Sequence, residues 1–297
     1  MPRKAMRILF TIPHYFGWTP EGNYASERNP AEIRVPVVRR CIASLIQTFS
    51  GAQGLMNGRD RSIHPANPKL TADVTVVVCT TGDNHLVSQL SIDGFTHVAT
   101  RAEPRYLGFE CHKLMRDSLG QYDYFGYLED DLQVSDGLFF AKLGWFRTQF
   151  GEHAILQPNR FELIDDPVPY KLYIDGNLHD ESISRSHQNI AEYRRVETPA
   201  FGQGLVFQRI DNAHSGCFFL DAAQLARWVE QPDFAQPAFS FGGPLESAAT
   251  LGIIRHFRVY KPARENAAFF EIEHLDPRYL GRRFLPKAGN PPSLEWP

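Results

Sequence analysis

The feature that most restricts the fold is Val74-Thr-Val-Val-Val-Cys79, a short run of mostly β-branched, mostly apolar residues introduced by Asp73. A strand without polar alternation is covered on both faces, which is the habit of parallel sheets. Upstream, Arg7-Ile-Leu-Phe-Thr-Ile12 is a compact β-like run that stops at Pro13. Between the two, Val38, Ile42, Leu45, Ile46 and Phe49 fall on one face of a helix read over Ile33 to Phe49, with Pro36 admissible in its first turn. Strand, helix and strand form a βαβ unit, which joins parallel strands through a helical crossover. The sequence therefore predicts an α/β fold with a mixed, mainly parallel open sheet flanked by helices.

The rest of the chain continues the alternation. His14 to Pro30 reads as a long loop, and Gly51 to Leu70 as a surface excursion. Phe95 to Thr100 suits a short strand, and Phe109 to Leu119 a helix closed by Gly120. Tyr122 to Leu128 is aromatic and β-prone, Leu138 to Phe150 amphipathic, and Ile155 to Phe161 strand-like. Ser215 to Leu220 reads as a buried strand, after which Asp221 caps a helix through Trp228 and Val229. Phe241-Gly-Gly-Pro244 opens a helix over Leu245 to Leu251, Phe257 to Tyr260 is a late strand, and Phe269 to His274 is extended. Leu163 to Gln203 is polar and irregular, and the tail after Pro277 reads as a wrapping extension. A length of 297 residues with 43% hydrophobic content suits one large folded domain rather than a disordered or coiled-coil chain.

Charge narrows the partners. Lys and Arg number 31 against 34 Asp and Glu, so the overall field gives no attraction to nucleic acid or anionic lipid. Cys41, Cys79, Cys111 and Cys217 are scattered without a CxxC pair, which suits reduced thiols. The apolar run Ile8 to Ile12 is too short for a signal segment, and no stretch approaches a transmembrane span. A cytoplasmic chain is expected.

Against that near-neutral background stands Glu129-Asp130-Asp131, directly after the apolar strand. Crowded carboxylates at a strand end repel one another unless a cation or solvent screens them. Strand alternation would send Glu129 and Asp131 to one side and Asp130 to the other, offering a pair of hard oxygen ligands to Mg²⁺ or Mn²⁺ carrying a diphosphate. A solvated acidic turn ahead of the helix at Ser135 to Gly137 would explain the triplet without a ligand.

Tyr124-Phe-Gly-Tyr-Leu-Glu-Asp-Asp131 resembles the apolar strand and DxD motif of nucleotide-sugar-dependent glycosyltransferases of the GT-A type, a Rossmann-like fold, here in a family 2-like form with Glu in the first acidic position. The resemblance implies that Asp131 binds the metal, Mn²⁺ or Mg²⁺, that Glu129 contacts metal or ribose, and that Asp130 reaches the donor sugar. It places Pro13, His14 and Tyr15 beside the base and ribose of a nucleoside diphosphate sugar, with Asp83 next to them. His14 equally suits an ordinary loop histidine, and Asp83 a helix N-cap. Lys113 takes the position of a basic residue near the diphosphate, although pairing with Asp117 on a solvated helix face accounts for it too.

Farther along, His214-Ser-Gly-Cys-Phe-Phe-Leu220 resembles the segment shaping the donor-sugar and acceptor pocket, where Gly216 permits close backbone approach; a packed core strand would also need it. Gly243-Pro-Leu-Glu246 resembles the segment with the catalytic carboxylate of inverting members, lacking their second acid, which makes Glu246 the candidate base for a glycan-type or small hydroxyl acceptor; its other reading is an acid matched to a helix dipole. Glu271-Ile-Glu-His274 resembles the segment whose histidine is a further metal ligand, an isolated surface ion pair being the alternative. Aromatics at Tyr170, Tyr173 and Phe201 could stack on a sugar or simply pack. The resemblance implies one GT-A domain over residues 1–297, with a nucleotide-sugar-binding half at 1–135 and an acceptor-binding, catalytic half with a C-terminal extension at 136–297. Two rival readings stand beside it. One is a sugar nucleotidyltransferase, disfavoured because Pro13-His-Tyr-Phe-Gly-Trp18 lacks a Gly-rich phosphate loop. The other is a non-catalytic carbohydrate-binding protein that keeps the fold.

Overall fold

The computed structural model describes residues 5–17, 19, 24–165, 169–277 and 279. Along the chain these form β1 (Met6–Pro13), α1 (Ala25–Arg28), α2 (Ala31–Phe49), β2 (Gly54–Asn57), β3 (Ser62–Pro65), β4 (Ala72–Thr81), β5 (Thr96–Thr100), α3 (Leu107–Asp117), β6 (Tyr124–Leu128) and β7 (Leu132–Gln133). There follow α4 (Phe139–Phe150), β8 (Ala154–Leu156), β9 (Asn159–Ile164), β10 (Tyr170–Tyr173), α5 (Ser182–Arg185), β11 (Arg195–Ala200), β12 (Gln203–Gln208), β13 (Cys217–Asp221), α6 (Ala222–Val229), α7 (Pro244–His256), β14 (Arg258–Pro262) and β15 (Glu271–His274).

The central sheet has the order β13-β6-β1-β4-β5. Its β6, β1, β4 and β5 are parallel and β13 joins β6 antiparallel, so the α/β fold with a mainly parallel open sheet is as the sequence predicts. The two-faced burial of the strands has a direct cause. Ile8, Phe10 and Ile12 pack with Val38, Ile42, Phe139 and Phe140 of α2 and α4, whereas Leu9 packs with Cys111, Trp228 and Ile253 of α3, α6 and α7. Gly126 in β6 is small because a Cβ there would lie 2.7 Å from the Phe10 ring and 3.1 Å from that of Phe219.

Several boundaries differ from those read in the sequence. The second helix starts at Ala31, so Pro36 is its sixth residue and removes a donor from the second turn rather than sitting in the first. Ile155 to Phe161 is broken at Gln157-Pro158 into β8 and β9, which join different sheets. Proline cannot donate to a ladder, and the break lets the chain cross from one sheet to the other. Within the irregular 163–203 stretch lie β10, α5 and β11, and β11 pairs antiparallel with β12 around Phe201 and Gly202, both at positive φ. The excursion at 51–70 is the hairpin β2–β3. All four cysteines are free and buried. No helix among the described residues is long and apolar enough to cross a membrane. The tail after Pro277, read as a wrapping extension, lies outside the described residues except for Tyr279.

Sheet winding fixes where ligands have room. From β1 the chain moves outward to β4 and β5, then returns to β6 on the other side of β1. Winding therefore reverses between β1 and β6, and the crevice outside the carboxyl ends of those two strands is the topological switch point at which open α/β sheets bind ligands. Pro13-His14 and Glu129-Asp130 stand there.

Candidate functional site

Glu129, Asp130 and Asp131 follow β6 into a cleft that they line together with Pro13, Arg34, Arg160, His214, Glu246 and His274. The alternation expected of a strand does not hold, because strand geometry ends at Leu128 and the chain turns into β7, which pairs with β15 in another sheet. All three carboxylates reach the same cleft, each in a different environment.

Asp130 is fully engaged. Arg34 Nη2 donates to one oxygen at 2.5 Å and His14 Nδ1 to the other at 2.6 Å. Burial alone would raise its pKa, but Arg34 and His14 outweigh burial and hold it at about 2. His14 is wholly buried, and its Nε2 accepts from the backbone N–H of Leu86 at 2.9 Å. The remaining proton is therefore on Nδ1, directed at Asp130. His14 braces the end of β1 against the end of β6 and offers no free nitrogen to a ribose, and each oxygen of Asp130 already accepts a hydrogen bond from a buried side chain. Arg34 was not among the residues singled out in the sequence, although it stands one turn before Val38 on the apolar face of α2. A charge on a core face is the signal that would have found it. This guanidinium also supplies part of the positive charge that the acidic triplet demands.

Glu129 is the opposite case. Burial raises its pKa well above the usual carboxylate range, Asp131 adds to the rise, and Arg160 opposes it. His214 Nε2 lies 3.9 Å away and is itself held well below its ordinary value, by burial first and by Arg160 second. Gly216 faces Glu129 at φ +62°, and a Cβ there would come within 2.7 Å of Glu129 Oε2.

Asp131 has one buried oxygen, Oδ1, with no hydrogen bond among the described residues. Its Oδ2 lies 3.7 Å from His274 Nε2 and 3.9 Å from Arg34 Nη1. His274 Nδ1 donates to the buried Glu162 at 2.9 Å, which turns the Nε2 lone pair toward Asp131. A carboxylate behind a histidine is the usual outer support of a metal-binding imidazole. Among the described residues no set of three His, Cys, Asp or Glu is arranged to hold a metal ion. Two donors, one an orphaned carboxylate oxygen, fit a cation shared with a bound phosphate rather than one caged by protein.

Glu246 is the third residue of α7 and keeps Oε2 buried without a partner. It forms part of the wall between the acidic cleft and a larger cavity of about 550 Å³ that also includes Tyr173, Asn177 and Asn212. On the other side, a third cavity reaches from Pro13 and Asp130 to Tyr15 and Arg105. The remaining candidates lie elsewhere. Asp83 is exposed in the turn after β4 and caps no helix. Lys113 pairs with Glu110 on an exposed face of α3, not with Asp117 and not with the cleft. Tyr173 lines the larger cavity, while Tyr170 and Phe201 are exposed away from it.

No protein-family model matches the chain, and none of the curated proteins is significantly similar to it. Among solved structures, one from Bacillus anthracis, assigned as a glucose-1-phosphate thymidylyltransferase and crystallised with sucrose, superposes with a TM-score of 0.38 at 12% identity, covering 87% of this chain and 87% of that one. A likeness at that score and identity carries no argument about the reaction of this chain, although the neighbour's description falls nearer to the nucleotidyltransferase alternative than to glycosyl transfer.

Proposed function

We propose that this chain is a metal-dependent glycosyltransferase that takes a nucleoside diphosphate sugar as donor and a hydroxyl of a glycan-type or small molecule as acceptor. The observation that carries the reading is the convergence of Asp131, His274 and Glu246 on one cleft at the switch point of the sheet. Asp131 and His274 would hold the cation between protein and diphosphate. When bound, Mn²⁺ or Mg²⁺ neutralises charge that builds on the departing diphosphate. Pro13 and Tyr15, in the adjoining cavity, contact the nucleoside. Asp130, locked to Arg34 and His14, holds the acidic segment in place rather than touching the sugar. Glu246, which lines both the cleft and the larger cavity, takes the proton of the acceptor hydroxyl as that oxygen attacks the anomeric carbon on the face opposite the departing diphosphate, a single displacement that inverts. In this reading residues 1–135 supply the donor side and the later residues the acceptor side of one GT-A domain.

The nucleotidyltransferase alternative needs a phosphate-cradling loop after the first strand, and that position is taken by buried His14 under Asp130. One panel separates the readings: nucleoside diphosphate sugars with Mn²⁺ or Mg²⁺ and mixed hydroxyl acceptors, beside nucleoside triphosphates with sugar 1-phosphates. Metal-dependent donor turnover is expected, abolished in Asp131→Ala, with Glu246→Gln keeping donor binding but losing transfer by about 10²–10⁴-fold. Pyrophosphate release from the triphosphate arm establishes the alternative instead. A chain that binds sugars but turns over neither set, and is indifferent to Asp131→Ala, is a carbohydrate-binding protein.

A further inference from the structure

The larger cavity beside Glu246 carries a buried cation that it shares with the acidic cleft. Arg160, second residue of β9, is 7% exposed and lines both spaces. Asp175 fixes it from behind, accepting from the Arg160 backbone N–H at 2.9 Å and from Nε at 2.9 Å. Lys261 fills the rest of that carboxylate at 2.8 Å and donates to the His214 carbonyl at 2.6 Å. Two buried cations thus share one carboxylate, a local excess of positive charge for which Glu129 is the next carboxylate in reach. Burying such an excess is costly unless an anion or solvent meets it. Both Nη groups of Arg160 are without a hydrogen bond among the described residues, and its ion pair there is with Asp175, not with Glu129.

We propose that Arg160 recognises an oxyanion on the acceptor, so that the acceptor class is an acidic sugar or sugar phosphate rather than a neutral glycan. A guanidinium held rigidly through its Nε edge presents its remaining N–H groups as a planar fork, the geometry that receives a carboxylate or phosphate in two parallel bonds. Tyr173, Asn177 and Asn212 share the cavity with it, a ring face and amides suited to a sugar, which places the oxyanion on the acceptor side of Glu246 rather than on the donor. The inference rests on the reading that this cavity holds the acceptor.

The test is calorimetric binding of glucuronate, glucose 6-phosphate and glucose to the full chain, with uridine and guanosine diphosphates in parallel. Wild type is expected to bind at least one charged sugar about tenfold or more tighter than glucose, the scale of one charge-assisted hydrogen bond. Arg160→Gln should abolish that preference, Arg160→Lys should recover only part of it, and nucleotide affinity should stay within about twofold. Equal wild-type affinity for charged and neutral sugars overturns the proposal without any variant, so a variant that fails to fold does not shield it. Loss of nucleotide affinity with the sugar preference intact also overturns it, because the guanidinium then belongs to the donor. A charge preference in a chain that binds no nucleotide would leave Arg160 as an anion site and remove the glycosyltransferase reading instead.

Discussion

Removing Arg34 tests whether the acidic segment is held by the protein's own charges. Asp130 is nearly buried, and its carboxyl sits at about 2 against an ordinary value of 3.8. At about 1.36 kcal/mol per pH unit of displacement, that difference is worth about 2.4 kcal/mol of folded-state stability. The folded pKa lies below the unfolded one, so the contribution is complete above about pH 4 and fades as the pH falls toward 2. Arg34→Met keeps the bulk of the side chain but leaves a buried carboxylate with His14 alone and removes the guanidinium 3.9 Å from Asp131. Breaking such a pair on one side costs about 3–5 kcal/mol at neutral pH. In the variant Asp130 protonates at higher pH, so the penalty should shrink by about 1 kcal/mol or more between pH 7.5 and pH 4. In an Asp130→Asn background the same substitution should cost about 1 kcal/mol or less, since no charge is stranded. Urea unfolding followed by tryptophan fluorescence measures all four proteins. A penalty equal at both pH values, or undiminished in the Asp130→Asn background, would refute the electrostatic account of this segment.

Three further outcomes follow from the packing. His112 is buried among Tyr127, Phe218 and Trp228 and is pushed down to about 3 by burial, so the unfolded chain alone takes up its proton below pH 6.5. Stability should therefore fall by about 1.4 kcal/mol per pH unit as pH drops below 6.5, and His112→Phe should flatten that limb in denaturation curves at pH 6.5 and 4.5. Gly216→Ala forces a side chain into φ +62° and against Glu129, which should lower stability by about 1–2 kcal/mol by scanning calorimetry; Gly216→Ala melting like wild type would mean that the close approach is not real. Asp221 accepts from the N–H groups of Ala223 and Gln224 at the start of α6, so Asp221→Ala should cost about 1 kcal/mol in chemical denaturation and Asp221→Asn much less.

Local pattern was enough for much of the architecture. The apolar runs of β1, β4 and β6, the single-faced periodicity of α2 and the Asp221 cap are written in neighbouring residues, because burial and hydrogen bonding within an element repeat at fixed spacing. Where local rules failed, a tertiary element had intervened. The Ile155 to Phe161 run parted because its two ends serve different sheets, and the polar stretch around β11 became a strand because β12 was available to pair with it. Lys113, which the resemblance puts near the diphosphate and spacing would pair with Asp117, finds its partner Glu110 within its own helix.

The sequence by itself determined that an apolar strand delivers three adjacent carboxylates to one edge of a parallel sheet. Only the tertiary structure decided what each carboxylate is. Arg34 and His14 reach Asp130 from 96 and 116 residues away, and Glu162 orients His274 from 112 residues away. A carboxylate's charge state and freedom depend on desolvation and on cations within a few ångströms, quantities that chain spacing does not encode. Asp130 is therefore a locked brace, Glu129 a buried acid and Asp131 a carboxylate with one unpartnered buried oxygen among the described residues, though the three stand side by side in the sequence.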